Sequence, residues 1–174
     1  MGRAFLLAAP LVAALELLAA SPARAQASEA EIKAAFLPRF ARYVTWPPAA
    51  RGNGPMVICV IGDDPFGGLL GQAASSQEVD GRPFVIRRLS SASGASDCAI
   101  AYVDGSRTAE LLTALGRQPI LTVTDARSNP HRGIIHFAIV DGRVRFFIDN
   151  AQAQAHGLTI SSRLLALAIG VNAK

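Results

Sequence analysis

Two short apolar runs, residues 56–61 and 98–103, constrain the fold of this chain more than any other feature. A further strand is predicted over 119–124, and helix or turn signals separate the three segments. Continuous apolar runs of this length are typical of strands that are buried on both faces, as in a parallel sheet. We therefore expect strands that alternate with helices in an α/β domain.

Helix signals stand before and between these runs. Apolar residues recur at helical spacing over 32–40, and Pro38 predicts a kink in that helix. Asp64 is the expected cap of a short helix after the first run, and Ser106 is the expected cap of a helix after the second. A further strand is predicted over 83–89.

The pattern changes towards the end of the chain. Strand patterns over 134–140 and 143–148 flank Asp141-Gly142, a strong signal for a two-residue hairpin turn, and a last apolar helix is predicted over 163–169. The expected fold is a single-domain α/β layered sandwich. It has a mostly parallel mixed sheet, an antiparallel C-terminal hairpin and helices on both faces.

The first 25 residues have the features of a cleavable signal peptide. Arg3 supplies a positive charge, residues 4–15 are apolar, and residues 23–25 form an A-x-A cleavage site. The apolar stretch is too short to span a bilayer, and no later segment approaches the roughly 18 apolar residues that a span needs. We expect one exported domain over 26–174. The alternatives are an apolar helix that stays in the fold, or an uncleaved anchor.

The charge balance argues against nucleic acid as a partner. Without its first 25 residues the chain has 15 basic and 12 acidic side chains, a net charge of +3. No run of Lys and Arg interleaves with aromatic residues, so nothing indicates a nucleic-acid groove. The roughly 150 residues that follow the predicted cleavage are enough for one domain to bury a core without a metal.

Two cysteines, Cys59 and Cys98, follow the predicted cleavage site. Outside the cytoplasm an even number of cysteines favours a disulfide. A bridge that closes a loop of about 40 residues would stabilise the fold by roughly 4 kcal/mol. Both residues also lie in apolar strand-like runs, where reduced and inert cysteines are common. The residues alone therefore leave two alternatives, a bridge and a pair of packed thiols.

The residue types that usually carry chemistry are scattered. The three histidines have no i, i+4 partner and no nearby cysteine, so no metal or cofactor site is predicted. Asp63, Asp64 and Phe66 stand where a strand passes into a helix, the usual ligand crevice of an α/β sheet, although carboxylates there disfavour a phosphate. Ser161 and Ser162 precede an apolar helix without a G-x-S-x-G elbow, so we expect helix caps and no enzyme.

Segments that run in order through nearly the whole exported part of the chain resemble the YfiR-like family of small secreted bacterial proteins. Together they form a specific pattern. Pro38 departs from it, because the family usually continues its first helix at that position. The matching segments are 33–36 (KAAF), 46–47 (WP), 58–67 (ICVIGDDPFG), 81–83 (GRP), 98–100 (CAI), 119–125 (PILTVTD), 144–146 (VRF) and 157–165 (GLTISSRLL).

The resemblance implies a periplasmic α/β regulator without catalytic residues. Such proteins restrain an inner-membrane signalling protein, typically a diguanylate cyclase, by touching its periplasmic sensor domain. In some systems an outer-membrane lipoprotein of OmpA type sequesters the regulator, and a homodimer is a further partner to consider. Cys59 and Cys98 match family cysteines, for which the resemblance implies a redox-sensitive disulfide. Arg163, with Ser161 and Ser162, matches a segment associated with the surface that meets partners or small ligands.

Two functions therefore stand side by side. The first is a regulatory protein that binds the periplasmic domain of a membrane-bound diguanylate cyclase and shifts its conformational equilibrium without any catalyst. The alternative is a periplasmic small-molecule-binding module, with its ligand near Asp63, Asp64 and Phe66, that feeds a membrane sensor histidine kinase. A ligand retained through purification would favour the second function.

We expect signal peptidase to cut between Ala25 and Gln26, because an apolar stretch of signal-peptide length precedes the A-x-A site. N-terminal sequencing of the protein from the periplasmic fraction should then start at Gln26. A periplasmic chain that still begins with Met1 would contradict this expectation.

Overall fold

The computed structural model describes residues 22–50, 52–127 and 130–173, so residues 1–21 of the predicted signal peptide lie outside the described part. Five α-helices occur in the described part: α1 Pro22–Ala41, α2 Gly68–Ser75, α3 Thr108–Leu115, α4 Asn150–Ala155 and α5 Ser162–Leu165. None of them is both long and apolar enough to cross a membrane. The strands there are β1 Val44–Thr45, β2 Met56–Gly62, β3 Glu78–Val79, β4 Arg82–Leu89, β5 Cys98–Asp104, β6 Leu121–Asp125, β7 Ile135–Val140, β8 Arg143–Asp149, β9 Thr159–Ile160 and β10 Gly170–Asn172.

Eight of these strands form one mixed sheet in the order β10-β8-β7-β6-β5-β2-β4-β3. The first long strand, β2, therefore lies between β4 and β5. Strands β2, β4, β5, β6 and β7 run parallel, whereas β8 is antiparallel to β7 and β3 is antiparallel to β4. Strands β1 and β9 form a separate antiparallel pair. The predicted fold class, a mostly parallel mixed sheet with an antiparallel C-terminal hairpin, is confirmed.

Two hydrophobic cores lie on opposite faces of the sheet. Successive side chains of a strand point to opposite faces. Ile58 and Val60 of β2 accordingly pack in a larger core with residues of α1 and α2, while Cys59 and Ile61 pack in a smaller core with residues of α3. Burial on both faces explains why the strand is a continuous apolar run rather than an alternating one.

The β7–β8 hairpin forms where Asp141-Gly142 predicts it. Asp141 has a φ of 50° and Gly142 a φ of 68°, and the flanking Val140 and Arg143 are paired. Two successive positive φ values characterise the type I′ turn, which Asp-Gly favours because both residues tolerate that backbone region. The turn residues therefore set the register of this hairpin.

Most differences from the predicted elements lie at helix ends. Helix α1 runs through Pro38 and across the predicted cleavage site between Ala25 and Gln26. Helix α2 begins at Gly68, later than predicted, because the Asp64 carboxylate first accepts bonds from two following N–H groups and closes a turn.

The end of the chain differs more. The residue that precedes α3 is Arg107 rather than the predicted Ser106. Helix α5 ends at Leu165, so the predicted helix over 163–169 is too long, and the chain then forms β10 beside β8. The Ile169 N–H donates to the Phe146 carbonyl at 3.0 Å. The unpaired edge of β8 thus supplies hydrogen bonds that outweigh the local helical pattern.

A disulfide joins Cys59 of β2 to Cys98 at the start of β5, with 5.8 Å between the two Cα atoms. The bridge forms because β4 pairs with the other edge of β2 and leaves β2 and β5 as neighbours. The register shifts between Val57 and Ile58, so Val57 lies opposite Cys98 while Ile58 lies opposite Ile100. Of the two alternatives for these cysteines, the structure has the bridge, and it lies within the smaller core.

We expect replacement of both cysteines by alanine to lower the free energy of unfolding by up to about 4 kcal/mol. Without a cross-link between residues 39 positions apart, the unfolded chain regains conformational entropy. Urea unfolding of the purified exported domain measures this loss. Thiol labelling of unreduced, denatured protein should find no reactive cysteine. Two labelled thiols per chain in oxidised protein would contradict the bridge.

Candidate functional site

The carboxyl ends of β2 and β5 diverge at one edge of the sheet. Helix α2 follows β2 and helix α3 follows β5 onto opposite faces, so a crevice opens between the strand ends, as at the switch point of other open α/β sheets. The two ends approach closely, because a Cβ on Gly62 would lie 2.1 Å from the Asp104 carbonyl oxygen. Glycine at this position permits the contact, and its φ of 91° is one that L side chains rarely adopt.

The two aspartates predicted for this crevice shape the turn after β2. The Asp64 carboxylate accepts a hydrogen bond from Arg88 Nε at 2.7 Å, which ties the turn to β4. The Asp63 N–H donates to the Asp104 carbonyl at 3.3 Å. A Cβ on Gly105 would lie 2.9 Å from Asp63 Oδ2, so the Asp63 side chain rests against the turn after β5. These contacts give both aspartates a structural role.

Phe66, the third residue predicted for the crevice, is buried in its wall. Its ring packs edge-on against that of Tyr102, with 4.6 Å between centroids. The Tyr102 hydroxyl donates to Asp104 Oδ2 at 3.3 Å, and the Gly105 N–H donates to Asp104 Oδ1 at 2.7 Å. Burial, reinforced by the nearby Asp104 carboxylate, raises the pKa of Tyr102 far above its usual value, so the hydroxyl stays protonated and acts as a donor.

A cluster of four charged side chains closes the crevice from the side of α1. Lys33 is only 4% exposed, and its Nζ donates to the carboxylates of Glu29, one turn earlier, and Asp125, at the end of β6. Arg127 also binds Glu29, and its N–H donates to Asp125 Oδ1 at 3.0 Å. We call these four residues the ionic clasp. Because buried charges are costly unless paired, the clasp fixes α1 against the sheet.

The crevice between these groups is a depression of about 310 Å³. Each charged side chain in its wall has a partner within the fold. These pairings hold the surrounding elements together. Phe66 lines the depression together with the clasp, whereas Asp63 does not line it. The lining residues are Glu29, Ala30, Lys33, Pro65, Phe66, Tyr102, Asp104, Asp125 and Arg127.

The predicted partner surface around Arg163 lies at the other end of the sheet. Ser161 directly follows β9, whose Ile160 pairs with Val44 just beyond α1, and its N–H donates to the Tyr43 carbonyl at 2.8 Å. Ser162 and Arg163 are exposed on α5. Ser161 Oγ is buried without a hydrogen-bond partner among the described residues, and it caps no N–H of α5. The structure therefore does not bring Arg163 and the crevice together.

Sequence reasoning missed the ionic clasp, although one signal for it exists. Lys33 lies in the stripe of α1 that also carries Leu37 and Ala34, which are buried. A charged residue on an apolar helix face needs a buried partner, and this requirement points to carboxylates elsewhere in the fold. Nothing in the sequence identifies Asp125, 92 residues away, as that partner.

A second depression, of about 240 Å³, lies at the opposite, amino ends of β2 and β5. Trp46 and Met56, which are buried, are among its lining residues, and the Trp46 indole donates to the Ala99 carbonyl at 3.2 Å. Arg42 and Asp80 lie at its mouth. The sequence did not indicate this depression, because its wall is assembled from five separate segments.

Two of the three histidines, His136 and His156, hold structural positions. His136 is buried, its Nδ1 lies 2.8 Å from Thr124 Oγ1, and burial together with nearby Arg132 lowers its pKa. His156 Nδ1 lies 2.9 Å from the Gln118 carbonyl oxygen. Within the described ranges, no three His, Cys, Asp or Glu side chains are grouped so as to hold a metal ion.

We expect Lys33→Met to lower the free energy of unfolding by about 3 kcal/mol, because it leaves two largely buried carboxylates without their shared cation. Arg127→Met is the matched control. The Arg127 side chain is 55% exposed, so its loss should cost about 1 kcal/mol or less. Urea unfolding of both variants measures the difference. Equal losses of unfolding free energy would show that the burial of Lys33 does not determine its contribution to stability.

Comparison with known proteins agrees with this architecture. No curated protein matches the chain. The sequence profile of the YfiR/HmsC-like family, whose members are periplasmic regulators of cyclic di-GMP signalling, matches residues 30–169. This range extends from Ala30 within α1 to Ile169, the residue before β10. It includes both cysteines and every residue of the ionic clasp except Glu29. The chain therefore belongs to the YfiR/HmsC-like family.

Proposed function

We propose that this protein restrains an inner-membrane diguanylate cyclase by binding the cyclase's periplasmic sensor domain. One observation carries the proposal beyond family membership: an ordered segment after Arg163 exposes large apolar side chains. Leu167 is 62% exposed, and Ile169 and Val171 are each 42% exposed. Neighbouring exposed apolar side chains rimmed by polar groups are typical of protein interaction sites.

The segment is held rigidly enough to act as a binding surface. Leu164 is buried in the larger core, and Leu165 and Ala168 pack against that core. The Ile169 N–H donates to the Phe146 carbonyl, and β10 then pairs with β8. These contacts leave the exposed side chains of the segment in fixed positions, which lowers the entropy lost on binding.

Binding alone is sufficient for regulation. A protein that binds the inactive state of a receptor better than the active state shifts the equilibrium between them by the ratio of the two affinities. A nearly complete shift needs a ratio of about 10⁴, which a standard protein interface supplies. In this proposal an OmpA-like outer-membrane lipoprotein lifts the restraint by occupying the regulator.

A second candidate function, a small-molecule-binding module that feeds a sensor histidine kinase, is favoured by the depression at the amino ends of β2 and β5. Buried Trp46 and exposed Arg42 and Asp80 line it, although its 240 Å³ is just below the volume of typical ligand pockets. Native mass spectrometry of protein purified without denaturation would reveal a retained ligand. A mass equal to that of the chain alone would count against this candidate.

Deletion of the gene should raise cellular cyclic di-GMP, and Arg163→Ala should reproduce part of this rise. Loss of a guanidinium that binds a partner carboxylate weakens a complex by about tenfold. Because Arg163 is exposed, the variant should melt like the unaltered protein. The measurement is cyclic di-GMP in cells that carry each variant in place of the chromosomal gene.

Arg117→Ala is the matched control, because Arg117 is an exposed arginine beyond α3, on the other face of the sheet. It should repress as fully as the unaltered protein. Unchanged cyclic di-GMP in the deletion strain would refute the proposed function. Full repression by Arg163→Ala, with a normal melting temperature, would show that Arg163 does not belong to the partner-binding surface.

A further inference from the structure

The exposed large apolar side chains of the described residues are concentrated at one edge of the sheet. Six of the seven lie on α1, on the β7–β8 hairpin or in the segment 167–171, and both α1 and β10 contact β8 of that hairpin. The seventh, Val85, lies on β4 near the opposite edge. Scattered single exposures are normal on a protein surface, but a cluster of this kind indicates an interaction site.

The backbone places three of these residues near one pair of aromatic rings. Phe36 of α1 packs edge-on against Phe146 of β8, with 5.7 Å between centroids. Ile32 lies one turn before Phe36 on the same face of the helix. Ile139 shares the sheet face of Phe146 across the hairpin, and the Ile169 N–H bonds to the Phe146 carbonyl. The apolar cluster is therefore continuous with the larger core beneath it.

Arginines without acidic partners border this cluster. Arg143 and Arg145 are exposed on β8, Arg163 is exposed on α5, and Arg39 is exposed on α1. Within the described ranges none of the four forms an ion pair, and only Glu31 and Asp141 are exposed acids on the same elements. Three arginines outside this edge, Arg87, Arg88 and Arg127, do form ion pairs with acidic side chains. The edge therefore offers guanidinium groups that can bind carboxylates bidentately.

The arginines of β8 lie on the sheet face opposite to the aromatic pair. Arg143 and Arg145 alternate with Val144 and Phe146, so their side chains point away from the larger core, as does that of Val140. Apolar side chains and arginines thus occupy both sides of the hairpin edge. A partner that contacts the side chains on both sides must surround this edge. A cleft in the partner can do so, whereas a flat surface cannot.

We propose that this edge inserts into a cleft of the cyclase's periplasmic domain that has an apolar floor and carboxylates on its rims. The identity of the partner rests on the proposed function, whereas the chemistry of the cleft follows from the edge itself. The residues, which we call the hairpin-edge surface, are Ile32, Ile139, Val140, Arg143, Arg145, Arg163, Leu167 and Ile169.

Two other occupants fit the hairpin-edge surface less well. A second copy of the chain would place arginines against arginines, and like charges in contact are costly. A bilayer is flat, and shallow insertion favours protruding aromatic or long apolar side chains. Here Ile32 and Ile139 are more than half buried, and the aromatic rings lie beneath them.

The test compares two altered surfaces with two matched controls in cells that lack the chromosomal gene. Leu167→Asp places a charge in the apolar centre, and Arg143→Glu/Arg145→Glu reverses the charge of one rim. The controls are Val85→Asp, at a 42% exposed apolar residue of the opposite edge, and Arg117→Glu. Both altered surfaces should weaken binding about tenfold or more and raise cyclic di-GMP towards the deletion level, while both controls repress fully.

A photo-crosslinking residue at position 167 or 85 provides a readout that does not depend on cyclic di-GMP. We expect a discrete adduct with an integral inner-membrane protein from position 167 only, and its loss when Arg143→Glu/Arg145→Glu is added. Melting temperatures and periplasmic amounts of all variants should match those of the unaltered protein, because every altered residue is exposed.

The outcomes separate the surface from the proposed function. If deletion raises cyclic di-GMP but both altered surfaces repress fully, the hairpin-edge surface is wrong and the proposed function stands. If deletion has no effect, the proposed function fails, and the crosslink alone decides on the surface. Binding to vesicles rich in phosphatidylglycerol, or a dimer in light scattering, overturns the proposed cleft if Leu167→Asp abolishes it.

Discussion

The pairing of β2 with β5 is the constraint on which the rest of the fold depends. The Cys59–Cys98 disulfide joins the two strands near the start of β5. At the end of β2, Gly62 has no Cβ that would clash with the Asp104 carbonyl at the end of β5. With β5 beside β2, β4 must pair with the other edge of β2, and α2 and α3 must cover opposite faces. The crevice between the strand ends follows directly from this order.

Charged side chains that are paired with one another form much of the wall of that crevice. Lys33 reaches from α1 to Asp125, and Arg127 and Glu29 complete the clasp, so groups that could attract a ligand hold a helix instead. A buried ion pair contributes less to stability than its Coulomb energy suggests, but it selects one arrangement strongly, since any shift of the helix leaves charges unpaired. The clasp therefore sets the position of α1 along the sheet.

The sequence predicted those parts of the fold that local patterns determine. The continuous runs of β2 and β5 required burial on both faces, and Asp141-Gly142 required a type I′ turn. Strand β10 and the clasp were missed for the same reason: each depends on a partner distant in sequence, β8 for the one and Asp125 for the other. The candidate site was predicted only in part, since Phe66 and Asp64 were placed near the crevice but without their structural contacts.

Helix α1 contacts both the crevice, through Lys33, and the β7–β8 hairpin, through Phe36. Lys33 fixes α1 through charge, while Phe36 and Phe40 fix it through rings that pack on Phe137 and Phe146. Ile32, which lies beside Lys33 and one turn before Phe36, is therefore held in place from both directions. Rigid cores transmit small displacements rather than absorb them. The clasp and the aromatic rings therefore together set the position of Ile32 relative to the β7–β8 hairpin.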